Sequence, residues 1–130
     1  MIIRYIGKVY KYVYFWIAFK ISWLFTFVKF KINGVQFSSD YVARGVPIVN
    51  VNLKGRFTIG KRFVFHSGKY FNMIGRQQQC YFIVGSNAEL TIGNNVGVSC
   101  LAIVCHKSVI IKDNVRIGGG VVIYDTDFHS

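Results

Sequence analysis

The sequence predicts an all-β solenoid of short parallel strands behind a basic, aromatic N-terminal helix. Aliphatic residues recur every six positions at Ile92, Val98 and Val104, and the series restarts one residue late at Ile111, Ile117 and Ile123. A helix repeats about every 3.6 residues and a strand about every two. A period of six fits neither, but stacked three-sided coils with one hexad per side produce it. Asn and Asp fall between the hexads, at Asn94-Asn95 and Asp113-Asn114, where a corner needs left-handed backbone angles. Residues 2–32 are apolar and aromatic, and Asn33-Gly34 supplies a stop.

Size and composition set the limits. A chain of 130 residues holds one domain plus one appended element. Hydrophobic residues make up 52% and charged residues 16%, which excludes a disordered or collagen-like chain. The net charge of +11 is unevenly spread. Residues 1–31 hold six Lys or Arg and no acid, residues 32–79 hold seven and only Asp40, and residues 80–130 hold three against four acids. No nucleic-acid-binding motif carries the bases, so nucleic acid is not an expected partner. An anionic membrane surface or a phosphate-bearing substrate suits them better.

The first element, residues 1–34, is a membrane-associating or capping segment. Arg4, Lys8 and Lys11 are four and three apart, so on a helix they share one face. A transmembrane span needs about 20 apolar residues. Tyr12 to Val28 supplies 17, interrupted by Lys20, which costs roughly 2.5–3.5 kcal/mol on insertion scales. A cleaved signal peptide fits poorly for the same reason. The remaining readings are an in-plane membrane helix or helical hairpin with snorkelling lysines, and a helix packed on its own solenoid or on a neighbouring subunit, capping the open end of the coil stack and covering strand edges there.

The second element, residues 40–130, is the repeat region. Ile59 and Phe65 are six apart, His66 to Arg76 and Gln77-Gln78-Gln79 read as a loop or irregular coil, and Ile83 to Gly93 re-enters the repeat. Ile92, Val98, Ile111 and Ile117 are expected to point inward. The fifth hexad position (Val96, Ala102, Ser108, Val115, Val121) is small or β-branched to fit the corner. Three hexads make a coil of about 18 residues with ladders at the ~4.8 Å strand spacing. Cys80, Cys100 and Cys105 are too few and odd in number for a disulfide framework. Cys100, Cys105, His106 and His129 match no standard zinc spacing, so no metal is expected.

Several runs resemble the hexapeptide-repeat acyltransferases, closest to the maltose/galactoside-acetyltransferase-like branch and its surface-polysaccharide O-acetyltransferases. They are Gly45-Val46-Pro47, Thr58-Ile59-Gly60, Phe71-Asn72-Met73-Ile74-Gly75, Leu90 to Ser99, Ile103-Val104-Cys105-His106 and, above all, Ile123-Tyr124-Asp125-Thr126-Asp127-Phe128-His129-Ser130. The resemblance implies a left-handed parallel β-helix, whose crossovers run against the usual right-handed rule. It also implies a homotrimer that moves an acetyl group from acetyl-CoA to a sugar hydroxyl of a cell-surface glycan or its lipid-linked precursor. The setting would be the cytoplasm, at the inner face of the cytoplasmic membrane.

On this resemblance His129 is the general base, with Asp125 or Asp127 fixing its tautomer and raising its basicity. His106, Asn72 and Ser99 are the expected substrate-side residues. His106 precedes Asp125 by 19 positions, the offset between the two triplets, although a structural role for it stays open, and His66 is unassigned. Family members continue for several coils past the histidine, and those coils hold the pantetheine arm. This sequence ends one residue after His129. The alternative expectation is therefore a truncated, catalytically inactive, membrane-associated solenoid.

Overall fold

The computed structural model describes residues 1–67 and 79–125. Its first element is a single helix, α1 (Ile2–Ile32). No proline interrupts it and Gly7 is its only glycine. It stops at Asn33-Gly34, as the sequence predicts. The Asn33 side-chain amide donates to the Lys29 carbonyl at 2.8 Å, and Gly34 takes the left-handed angle, φ +69°, that ends helices cheaply. Lys29 and Lys31 in the last turn complement the negative end of the dipole. One unbroken helix rules out the helical hairpin.

Among the described residues eleven strands follow: β1 (Val42–Arg44), β2 (Ile48–Val51), β3 (Arg56–Ile59), β4 (Val64–His66), β5 (Tyr81–Val84), β6 (Glu89–Ile92), β7 (Gly97–Ser99), β8 (Ala102–Cys105), β9 (Ser108–Ile111), β10 (Arg116–Ile117) and β11 (Val122–Tyr124). They form three parallel sheets, ordered β1-β4-β7-β10, β11-β8-β5-β2 and β3-β6-β9. Each strand pairs with the third strand before or after it, so the chain visits the three sheets in rotation. The stacking is consistent with a β-solenoid. Ile92 lies opposite Ile111, and the corner hydrogen bonds between those circuits join residues 19 apart.

Inward residues form columns. Phe57, Leu90 and Val109 make one, Ile59, Ile92 and Ile111 a second, and Phe65, Val98 and Ile117 a third. The core changes character along the stack. Phe57, Phe63, Phe65 and Phe82 fill the circuits near the helix, while Leu90, Ile92, Val98 and Ile103 fill the later ones. Ring contacts at 5.4–6.5 Å join the four phenylalanines.

The helix caps the aromatic end. Phe30 is fully buried against Phe37, Tyr41, Phe57 and Phe65, at ring separations of 5.1–6.5 Å. Polar groups of the first circuit also find partners on and just after the helix. The Gly45 amide donates to Ser22 Oγ, the Val51 amide to Asn33 Oδ1, and Lys29 Nζ to the Pro47 carbonyl. Gln36 bridges to Thr58. These bonds cover edges that would otherwise template pairing with another chain. The C-terminal part of the helix thus shares the core of the β region.

The phase of the repeat differs from the sequence expectation at one place. In β8 the inward residues are Ile103 and Cys105, and Val104 faces outward. Cys100 adopts φ +49°, and its amide donates to the His66 carbonyl at 2.8 Å. The chain therefore turns early, and β8 starts with Ala102 opposite Tyr81. The extra residue lies before β8 rather than after Val104. Ala102, Ser108 and Val121 consequently do not share the corner-facing position of Val96 and Val115; Ser108 and Val121 are exposed.

The expected Asn/Asp corner ladder is present. Asn94 Oδ1 accepts the Lys61 amide at 2.8 Å, Asp113 Oδ1 accepts the Asn94 amide at 2.7 Å, and Asn95 Nδ2 donates to Asn114 Oδ1 at 2.8 Å. Arg62, Asn95 and Asn114 occupy equivalent left-handed positions there, with φ of 57–62°. Asp40 Oδ1 accepts the Arg62 amide, and that bond, with help from Ser38, holds the Asp40 carboxyl below its usual range.

Candidate active site

The expected catalytic segment begins where β11 ends. Asp125 follows that strand directly, and its amide donates to the Val104 carbonyl. Its carboxylate closes the corner between β8 and β9. Oδ1 accepts the His106 amide at 2.6 Å, while Oδ2 accepts those of Lys107 at 2.8 Å and Ser108 at 2.7 Å. At the same corner the earlier circuits use residues 52–55 and 85–88, whereas this one uses only 106–107. The Asp125 carboxylate takes the amides of this tight turn. Partial burial, the largest single influence, pushes its carboxyl up, but the amide bonds together outweigh it and hold the group below its usual range.

His106 is exposed at this corner. A side-chain carbon on Gly85, in the circuit above, would stand 3.6 Å from His106 Nδ1, an ordinary van der Waals contact. Ser99 lies elsewhere. It ends β7, opposite His66 in another sheet, and the four residues of β8 separate it from the Asp125 corner, about 13 Å of strand. The structure thus brings Asp125 and His106 together and leaves Ser99 apart. Asn72, Asp127 and His129 lie outside the described residues, as does most of the expected loop.

No protein-family model, curated protein or solved structure matches this chain.

Other chemistry is limited by burial. Cys80, Cys100 and Cys105 are free and buried. Burial pushes the Cys80 thiol up to about 12, and burial followed by the Asp125 charge raises Cys105. Both shifts disfavour the thiolate a nucleophile or metal ligand needs. Among the described residues no group of three or more His, Cys, Asp or Glu could hold a metal ion.

One polar node escaped the sequence reading. Ser67 Oγ donates to the Val46 carbonyl at 3.1 Å and accepts the Cys80 amide at 2.9 Å. Gln79 Nε2 donates to the same carbonyl at 3.0 Å. Ser67 and Gln79 are therefore fastened to one point of the first circuit. No local pattern marks Ser67 and Gln79, because their partner lies in another circuit.

Proposed function

We propose that the three sheets form a left-handed parallel β-helix and that the chain is an acetyl-CoA-dependent O-acetyltransferase acting on a sugar hydroxyl. The carrying observation is the run Asp125-Thr-Asp127-Phe-His129 placed directly after the last strand of a three-sheet parallel stack. In this reading His129 removes the proton from the acceptor hydroxyl as its oxygen attacks the thioester carbonyl. The tetrahedral intermediate then collapses, the carbon–sulfur bond breaks, and the imidazolium returns the proton to the departing CoA thiolate. Asp125 holds the 106–108 corner with both oxygens; in this reading Asp127 is therefore the partner that orients His129. His106 contributes to the acceptor side of the cleft. The working form is a closed trimer with sites between subunits.

The test is CoA release from acetyl-CoA by the purified full chain in the presence of sugar acceptors, with acetyl-CoA binding measured by calorimetry. Acceptor-dependent release that falls about 10²–10⁴-fold in His129→Ala, with an unchanged circular-dichroism spectrum, supports the reading. Release that is equal in His129→Ala refutes the base assignment. A folded trimer that neither binds acetyl-CoA nor releases CoA refutes the enzyme and leaves the non-catalytic solenoid.

A further inference from the structure

The helix carries two faces that the β region does not account for. Ser22, Thr26 and Phe30 define the side packed on the stack. At about 100° per residue, Arg4, Lys8 and Lys11 fall on that same side, further out. The opposite side is an apolar ridge at three- and four-residue spacing, running Ile3, Ile6, Tyr10, Val13, Ile17 and on to Val28. All of these are exposed, Ile3 at 85% and Tyr10 at 70%. Tyr5 and Trp16 lie toward the border between the two faces, and Tyr12 falls on the packed side, in line with Phe30. Lys20 breaks the ridge, its ammonium drawn back over the Trp16 ring, 5.2 Å from the centroid, and Lys31 falls on the same side just beyond Val28.

We propose that α1 lies flat on an anionic phospholipid bilayer, ridge inward, and holds the β stack upright beneath the surface. Charge disfavours spanning. A span needs about 20 residues, and Ser22, Thr26 and Phe30 pack on the stack, Ser22 through the Gly45 amide, so a span would take nearly all of residues 1–21. The 21 residues left carry Arg4, Lys8, Lys11 and Lys20, and cations at the bilayer centre are costly. In the flat orientation every feature has a place. The ridge enters the acyl boundary, Tyr5 and Trp16 sit at headgroup depth, and the basic row stays wet. Lys20 snorkels toward the same border.

Charge selects the occupant. Residues 1–31 hold six bases and no acid, so two such helices repel each other where an anionic surface attracts both. The β stack has the same polarity. Arg44, Lys54, Arg56, Lys61 and Arg62 are exposed on the first circuit and the corner leaving it, while Glu89, Asp113 and Asp125 belong to later circuits. The basic end is the helix end.

The test is flotation of the full chain with vesicles of phosphatidylcholine alone or with 30% phosphatidylglycerol, about physiological in charge. Depth is read by bromolipid quenching of Trp16 in a Trp23→Phe background. Expected results are binding to the anionic vesicles that weakens with salt, a fall of about tenfold or more in Ile6→Asp/Ile17→Asp, and stronger quenching by shallow than by deep bromines. These two positions are exposed, so the variant keeps its fold. No flotation, or flotation unaffected by the double substitution, overturns the proposal. Stronger quenching by deep bromines overturns the flat orientation. An oligomer that dissociates in the double variant without vesicle binding assigns the ridge to a second copy and also overturns it. None of these outcomes depends on acetyl transfer.

Discussion

Replacing Asp125 with Asn separates a structural carboxylate from a dispensable one. The wild-type side chain accepts three amides at 2.6–2.8 Å. An asparagine keeps one acceptor oxygen, so one or two of those bonds are lost and an NH2 group faces an N–H. Each net bond is worth about 0.5–1.5 kcal/mol, and more when the acceptor is charged. Water reaches this corner, which favours the low end, and the expected loss is about 1.5–2 kcal/mol at pH 7. In a domain of this size that lowers the melting temperature by about 5–8 °C.

The pH dependence gives a second handle on the same residue. The folded Asp125 carboxyl titrates below its ordinary value of 3.8. Its ionised form therefore contributes stability above that value, and the contribution is lost as pH falls through the lower folded value. Thermal unfolding of the wild type and Asp125→Asn, followed by circular dichroism between pH 7 and pH 3, should show a gap that is full at neutral pH and narrows below about pH 4. A gap under about 1 °C at pH 7, or one independent of pH, refutes a structural role for the carboxylate.

Three further substitutions test the packing. Phe30→Ala removes a fully buried ring with four aromatic neighbours and should cost about 3–5 kcal/mol. It should also change the fluorescence of Trp23, which stacks on Tyr41 at 5.4 Å beside it. Gly93→Ala places a carbon 2.8 Å from the Asp113 nitrogen and 2.9 Å from the Lys112 carbonyl carbon, so denaturant unfolding should report a loss of about 1–3 kcal/mol. Gly118→Ala meets nothing within 4 Å and should stay within about 0.5 kcal/mol of wild type.

The repeat was legible because core positions and corner residues obey different chemistry. Ile92, Val98 and Ile111 had to be apolar, and Asn95 and Asn114 suit left-handed angles. The slip at Cys100 was not legible. A cysteine at φ +49° carries no sequence signature, and Val104 is as apolar as the Ile103 that replaces it in the core. Arg62 hid a corner for the same reason. The three-amide bond set of Asp125 needed the neighbouring circuit to be seen, since its partners are 17–19 residues away. In the helix, periodicity revealed the basic row, but only the position of Phe30 in the core shows which side faces the stack.

The three corners differ in how freely their lengths vary. One is always four residues long, 60–63, 93–96 and 112–115, and it carries the Asn/Asp ladder. Between the first and second sheets the linking intervals are 45–47, 67–80, 100–101 and 118–121. The molecule is thus sewn along a spine and open along a fore-edge, where each leaf has its own width. Insertions and deletions are absorbed at the fore-edge without disturbing strand register, and a grafted binding loop belongs there. One residue added to the spine would instead displace the ladder and turn the next strand's core side chains toward water.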